Sequence, residues 1–90
     1  MSTFVITYDL RKPGRNYNAL YEALKAYPNW AHLLESVWII QSNHTASSIR
    51  DALQAHADPG DAIAVLEVNV RGWATASVSK EINDWLKTNV

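Results

Sequence analysis

The chain contains no cysteine, which excludes a disulfide scaffold and a thiolate metal site, the usual staples of a small secreted domain. No apolar run approaches the roughly 18 residues of a membrane span. No stretch near its start has the basic-then-apolar form of a signal peptide. A cytoplasmic protein with no membrane partner is the plain expectation. Glycine and proline number three each, and the chain shows no linker, low-complexity tract or internal repeat. Excess charge is also lacking. Eight Lys and Arg residues stand against nine Asp and Glu, a net charge of −1 that argues against broad electrostatic capture of nucleic acid and leaves room for a local patch. No Ser–His–Asp set, phosphate loop or dinucleotide fingerprint is present.

What the chain has is apolar and aromatic material. Of its 90 residues 48% are hydrophobic, with four Trp and four Tyr. A chain this short buries only roughly 60–65% of its unfolded surface, so one core leaves little stability margin. Some of this apolar area is therefore expected to be covered by a second copy. A single domain over residues 1–90 is expected, with a core of about 3–68 and a C-terminal extension of about 71–90.

Residues 3–9 read as a strand, with Phe4, Ile6 and Tyr8 on one side and Val5 and Thr7 on the other. A strand apolar on both sides belongs in the centre of a sheet covered twice. Pro13–Gly14 breaks the chain, and Asn16 has the chemistry of a helix N-cap. Tyr17, Leu20, Tyr21 and Leu24 then fall at helical spacing, with Asn18, Glu22 and Lys25 facing outward, until Pro28 ends the helix. His32 to Ser42 is β-rich and forms either two short strands or one bent one. Thr45 caps a second helix whose inner side carries Ile49, Ala52, Leu53 and His56 or Ala57. Asp58–Pro59–Gly60–Asp61 has the pattern of a type II turn, and Ala62 to Val68 is a further strand apolar on both faces. Ser79 caps a short amphipathic helix presenting Ile82, Trp85 and Leu86. With two strands in the middle the fold is α+β, of the ferredoxin-like βαββαβ pattern, with an added C-terminal segment and short helix.

The richest chemistry lies where the first strand ends. Asp9 closes it, and Leu10–Arg11–Lys12–Pro13–Gly14–Arg15 follows, holding three of the eight cationic residues. Hard cations such as Mg²⁺ prefer carboxylate oxygens, and a two-fold axis near Asp9 would supply a second carboxylate. Arg11, Lys12 and Arg15 could hold phosphates, with Gly14 letting the backbone come close. The competing assignments are ordinary. Asp9 would accept backbone N–H bonds in the turn, and the three cations would face water. His32, His44 and His56 match no ligand spacing. Tyr17, Tyr21, Tyr27, Trp30 and Trp38 could stack on bases, but their helical and strand spacing favours core packing. Trp73 and Trp85 lie beyond the core pattern, where they would close the back of the sheet or a dimer seam.

Val5–Ile6–Thr7–Tyr8–Asp9, the loop leading into an amphipathic helix, Ser36–Val37–Trp38 and the acidic turn before the last core strand together resemble one superfamily. It comprises the small CRISPR-associated adaptation subunit, which is the second Cas protein, and its VapD-like and SinR-like relatives. The resemblance covers roughly residues 3–68. Asp9–Leu10 with Lys12–Pro13–Gly14 and Asn16–Tyr17 is most similar to the SinR-like branch. It implies a ferredoxin-like homodimer acting as a metal-dependent nuclease or as a non-catalytic DNA-binding scaffold, with Asp9 at the position of the metal ligand. The sequence favours a small dimeric nucleic-acid-associated binding module with residual metal-dependent nuclease activity. In that reading Asp9 is catalytic and holds Mg²⁺, while Arg11, Lys12 and Arg15 bind nucleic acid. The competing readings are an active Mg²⁺-dependent endonuclease on RNA or DNA, and a protein–protein module with no nucleic-acid role.

Overall fold

A computed structural model describes residues 1–90. Its elements follow the order β1 (Ser2–Asp9), α1 (Asn18–Lys25), β2 (Asn29–Leu34), β3 (Val37–Ser42), α2 (Ala46–Gln54), β4 (Ala62–Val68) and α3 (Lys80–Asn89). The four strands form one sheet in the order β2-β3-β1-β4, and every neighbouring pair is antiparallel. The fold is thus a small α+β arrangement of a four-stranded antiparallel sheet and three helices. None of these helices is long and apolar enough to cross a membrane.

The alternation along β1 sets the layers. Phe4, Ile6 and Tyr8 are buried on one face beside Trp38 and Ile40 of β3. Leu20 and Leu24 of α1 and Ile49 and Leu53 of α2 close that core. Side chains three and four residues apart share a helix face, so each helix delivers one narrow apolar stripe. Thr45 caps α2 by accepting the Ser48 N–H at 3.2 Å, and Ser79 caps α3 by accepting the Ile82 N–H at 3.3 Å. The zone from 32 to 42 resolves into two strands, a hairpin turning at Glu35–Ser36 with an irregularity between His32 and Leu34.

The second sheet face is covered unequally. Residues Thr3, Gln41 and Asn29 lie opposite one another on it, and α3 bonds to Gln41 and Asn29. Asn29 Nδ2 donates to Gln41 Oε1 at 2.8 Å, and Gln41 Nε2 donates to the Asn89 carbonyl at 2.9 Å. Trp85 Nε1 donates to Asn29 Oδ1 at 3.0 Å. Ala31 and Ile39 on this face are buried, as is Leu86 of α3. The β1–β4 half of the same face has no such cover: Leu66 is 50% exposed, and Val5, Thr7 and Val68 are half-buried.

Four sequence expectations change. The strand 62–68 is an edge strand, with Ala64, Leu66 and Glu67 exposed, because only Ile63 and Val65 meet the helical core. Gly60 has no positive φ, so Asp58–Asp61 is not a type II turn; its Asp61 N–H to Asp58 carbonyl bond of 2.9 Å closes another turn form. The cap position of α1 is Tyr17, and Asn16 instead accepts the Asn18 N–H at 2.9 Å from one residue earlier. Ala52 on α2 is exposed, and past the end of that helix His56 is exposed while Ala57 is buried.

Trp85 is half-buried, so its removal is expected to cost about 1–3 kcal/mol, the sum of partial burial and one hydrogen bond. Fully buried Trp38 sets the scale: Trp38→Ala should cost about 3–5 kcal/mol. Denaturant titration measures both, and an unchanged midpoint for Trp85→Ala would mean that α3 does not dock.

Candidate functional site

Antiparallel pairing of β1 with β4 places Asp9 opposite Ala62. The loop that leaves β1 therefore lies beside the turn that enters β4, and the site is built from both. Its first half, 10–17, turns through Gly14 at φ +80, a conformation that glycine adopts without a Cβ penalty. Nothing lies within 4 Å of where a Gly14 Cβ would stand, so the backbone angle and not a close contact requires glycine. The Arg15 N–H donates to the Lys12 carbonyl at 3.2 Å, which tightens the loop.

The second half supplies acceptors. Asp61 is buried, and its carboxylate accepts the Arg11 N–H at 2.6 Å and the Asp58 N–H at 2.9 Å. It ties the two loops together through backbone donors, which no substitution in loop 10–17 other than proline removes. The Tyr17 hydroxyl comes close to this carboxylate without meeting strict hydrogen-bond geometry, and it is the one buried side-chain polar atom left without a partner. Burial opposes ionisation of Asp61, but the Arg11 N–H, the Tyr17 hydroxyl, the Asp58 N–H and the charge on Arg15 together outweigh it. Its carboxyl accordingly titrates below the ordinary value of 3.8. Burial raises the Tyr17 hydroxyl above its ordinary value, and the neighbouring Asp61 adds to the effect.

Each of the three cations meets an acid. Arg11 lies 3.7 Å from Asp9, while Lys12 and Arg15 both lie 3.5 Å from Asp58 Oδ1. Arg15 also rests 5.4 Å from the centre of the Tyr17 ring. Asp9, Asp58 and Asp61 thus balance Arg11, Lys12 and Arg15, and the local charge is zero. These contacts are long and mostly wet, with Arg11 and Lys12 side chains 61% and 62% exposed. Ion pairs of that kind are worth roughly 0–1 kcal/mol, so the cations can exchange a carboxylate for a phosphate at little cost.

Asp9 ends β1 as its sequence position implies, on the uncovered sheet face, beside a depression of about 160 Å³ that it shares with Thr7 and Ala64. Its side chain is 77% exposed, and its one charged neighbour is Arg11. Nowhere in the chain do three or more His, Asp or Glu side chains gather into a group able to hold a metal ion. One carboxylate with a guanidinium beside it does not make a Mg²⁺ site within a single chain. The structure brings Asp9, Arg11, Lys12 and Arg15 to one end of the sheet, with two further residues that sequence reasoning passed over, Asp58 and Asp61. The signal for them was present: an acidic turn directly before a strand that pairs antiparallel with β1 has to lie beside the loop that follows β1.

No family model matches the chain, and no curated protein matches it either. Among solved structures it is similar to a hypothetical protein from Thermus thermophilus, with a TM-score of 0.66 and 19% identity, covering 87% of this chain and 94% of that one. At that identity the likeness is one of fold.

Asp61 generates a pH prediction. A carboxyl with a lowered native pKa binds fewer protons folded than unfolded, so its stabilisation is complete above pH 3.8 and is lost as pH falls through its native value. Asp61→Asn should lower the thermal midpoint at neutral pH and flatten its decline below about pH 4. A decline as steep as that of the wild type would assign acid sensitivity to another carboxylate.

Proposed function

We propose that the protein is a small cytoplasmic homodimer associated with nucleic acid, a binding module of the superfamily that its first strand resembles. The observation that carries this reading is the uncovered β1–β4 half of the second sheet face, where exposed Leu66 and half-buried Val5 and Val68 share the face that ends at Asp9, next to the loop of Arg11, Lys12 and Arg15. A second copy covering that half would remove apolar surface from water at about 25 cal/mol per Å² and would bring two basic loops to one assembly. The sheet order β2-β3-β1-β4 on a βαββαβ chain supports the ferredoxin-like assignment. The loop chemistry fits positioning on a phosphate backbone: exposed cations in weak pairs, on a frame fixed by Asp61.

Binding is favoured over cleavage because no group of three His, Asp or Glu side chains forms around Asp9, whose ion-pair partner is Arg11. One observation supports residual nuclease activity as a second reading. Asp9 projects from the same face that the dimer would use, so the partner copy's equivalent carboxylate could complete a pair able to hold Mg²⁺.

Light scattering should give twice the chain mass at micromolar concentration, and Leu66→Glu should return the protein to monomer with its fold intact. Single- and double-stranded RNA and DNA should bind with an affinity that falls as salt rises. Lys12→Ala should reduce the slope of log affinity against log salt by about 1, because Lys12 is exposed and its loss disturbs no packing. A monomer that binds none of the four nucleic acids would overturn the proposal. Cleavage that needs Mg²⁺ and is abolished by Asp9→Asn would select the second reading.

A further inference from the structure

The largest cavity in the molecule, about 590 Å³, opens between α1 and α2 where β3 ends. It lies at the other end of the sheet from Asp9. Ser42 on its wall pairs with Ser2, so the length of β1, 8 residues at roughly 3.3 Å each, separates the two places. The cleft exists because α1 and α2 face it with alanines, Ala23 and Ala26 on one side and Ala52 on the other. A leucine at any of these positions would fill much of the gap.

The polar side chains around the opening are Tyr27, Ser42, Asn43, His44 and His56, and no Asp, Glu, Lys or Arg lines it. All of them can donate. Each imidazole offers at least one ring N–H and Asn43 offers its amide. Ser42 is buried, and its hydroxyl accepts the His44 N–H at 3.0 Å, which leaves its own proton for another acceptor. Burial raises the pKa of the Tyr27 hydroxyl, so it stays protonated and donates. A cation would find no carboxylate here. A phosphate monoester supplies three acceptor oxygens to match several converging donors, while an alanine wall accepts a flat, weakly polar ring. The volume is that of a small-molecule site.

We propose that this cleft binds a nucleoside monophosphate, the phosphate held by His44 and His56 and the base lying against Ala23, Ala26 and Ala52. This site is separate from the basic loop and does not depend on dimer formation or on polymer binding.

The test is an amide-detected NMR titration of the full chain with adenosine monophosphate, paired with calorimetry, and with inorganic phosphate and adenosine as separate arms. Adenosine monophosphate should shift the amides of Asn43, His44 and His56 and leave those of Asp9 to Arg15 in place. Phosphate alone and adenosine alone should each bind about tenfold more weakly or worse, since each makes half of the contacts. Ala52→Leu should abolish binding while the thermal midpoint holds or rises, and the rim double variant His44→Gln/His56→Gln should weaken binding by about tenfold or more. The double variant also decides the matter if Ala52→Leu does not fold. Shifts confined to the basic loop, phosphate binding as tightly as the nucleotide, or affinity unchanged in the double variant would each overturn the proposal.

Discussion

Trp38 holds the fold together through a hydrogen bond that it cannot do without. Its ring is fully buried, and an indole N–H in such a place needs an acceptor, because an unpaired one costs about 1–3 kcal/mol. Tyr8 provides that acceptor at 3.0 Å, and its own O–H donates to the Glu35 carbonyl at 3.2 Å. The Tyr8 N–H also donates to the Ser36 carbonyl at 3.2 Å, so one residue of β1 holds the β2–β3 turn by its backbone and its side chain. Burial raises the Tyr8 pKa above its ordinary value, with the bond from Trp38 opposing it, and the hydroxyl stays protonated as this relay requires. Around the indole, His32 stacks at 4.0 Å and 11°, and Trp30 and Tyr21 approach at 5.5 Å and 6.5 Å. The core is consequently specified by direction as well as by volume. A hydrophobic replacement of Trp38 would have to leave Tyr8 one partner short.

The two faces of the sheet use different physics. Under α1 and α2 the contact is apolar and continuous, and its strength follows area. Under α3 the contact rests on amides: Asn29, Gln41 and Asn89 exchange hydrogen bonds among themselves, with Thr3 and with the Trp85 indole. The members are half-buried, so losing one leaves the others short of a partner in a place that water reaches only in part. The network also fixes where α3 sits, because amide partners must meet in register while leucines can slide. Its 10 residues span only the β2–β3 side, and the β1–β4 half stays open beside Asp9.

Much of this was legible in the residues. The alternation of β1, the pairs Leu20 and Leu24 of α1 and Ile49 and Leu53 of α2, and the caps Thr45 and Ser79 follow from local chemistry and appear where the sequence puts them. What was not legible depends on who neighbours whom. Ala62 to Val68 reads as a doubly covered strand because apolar residues fill both faces, yet an edge strand with an uncovered face has the same composition. Gly60 after Pro59 invites a type II turn, but Asp58 accepts the Gly60 N–H at 3.1 Å and Asp61 accepts the Asp58 N–H, and side-chain acceptors select another geometry. That Asp9 ends the first strand and leads into a basic loop is legible from residue types. Their electrostatic state is not, because the balancing acids sit some fifty residues further along and become neighbours only through the β1–β4 pairing.

That balance explains how a chain with almost no net charge can carry a loop of three cations and still keep it in shape. Three unpaired cations on an 8-residue connection would repel one another and spread it. Asp58 draws Lys12 and Arg15 together, and Asp61 takes the loop's backbone instead of its charge. Because Asp61 binds N–H groups, its hold survives any exchange of partners by the side chains above it. The frame and the binding groups are therefore separable. Asp61 is answerable to stability and, under the proposed function, Lys12 to affinity, and a change in one is expected to leave the other largely untouched.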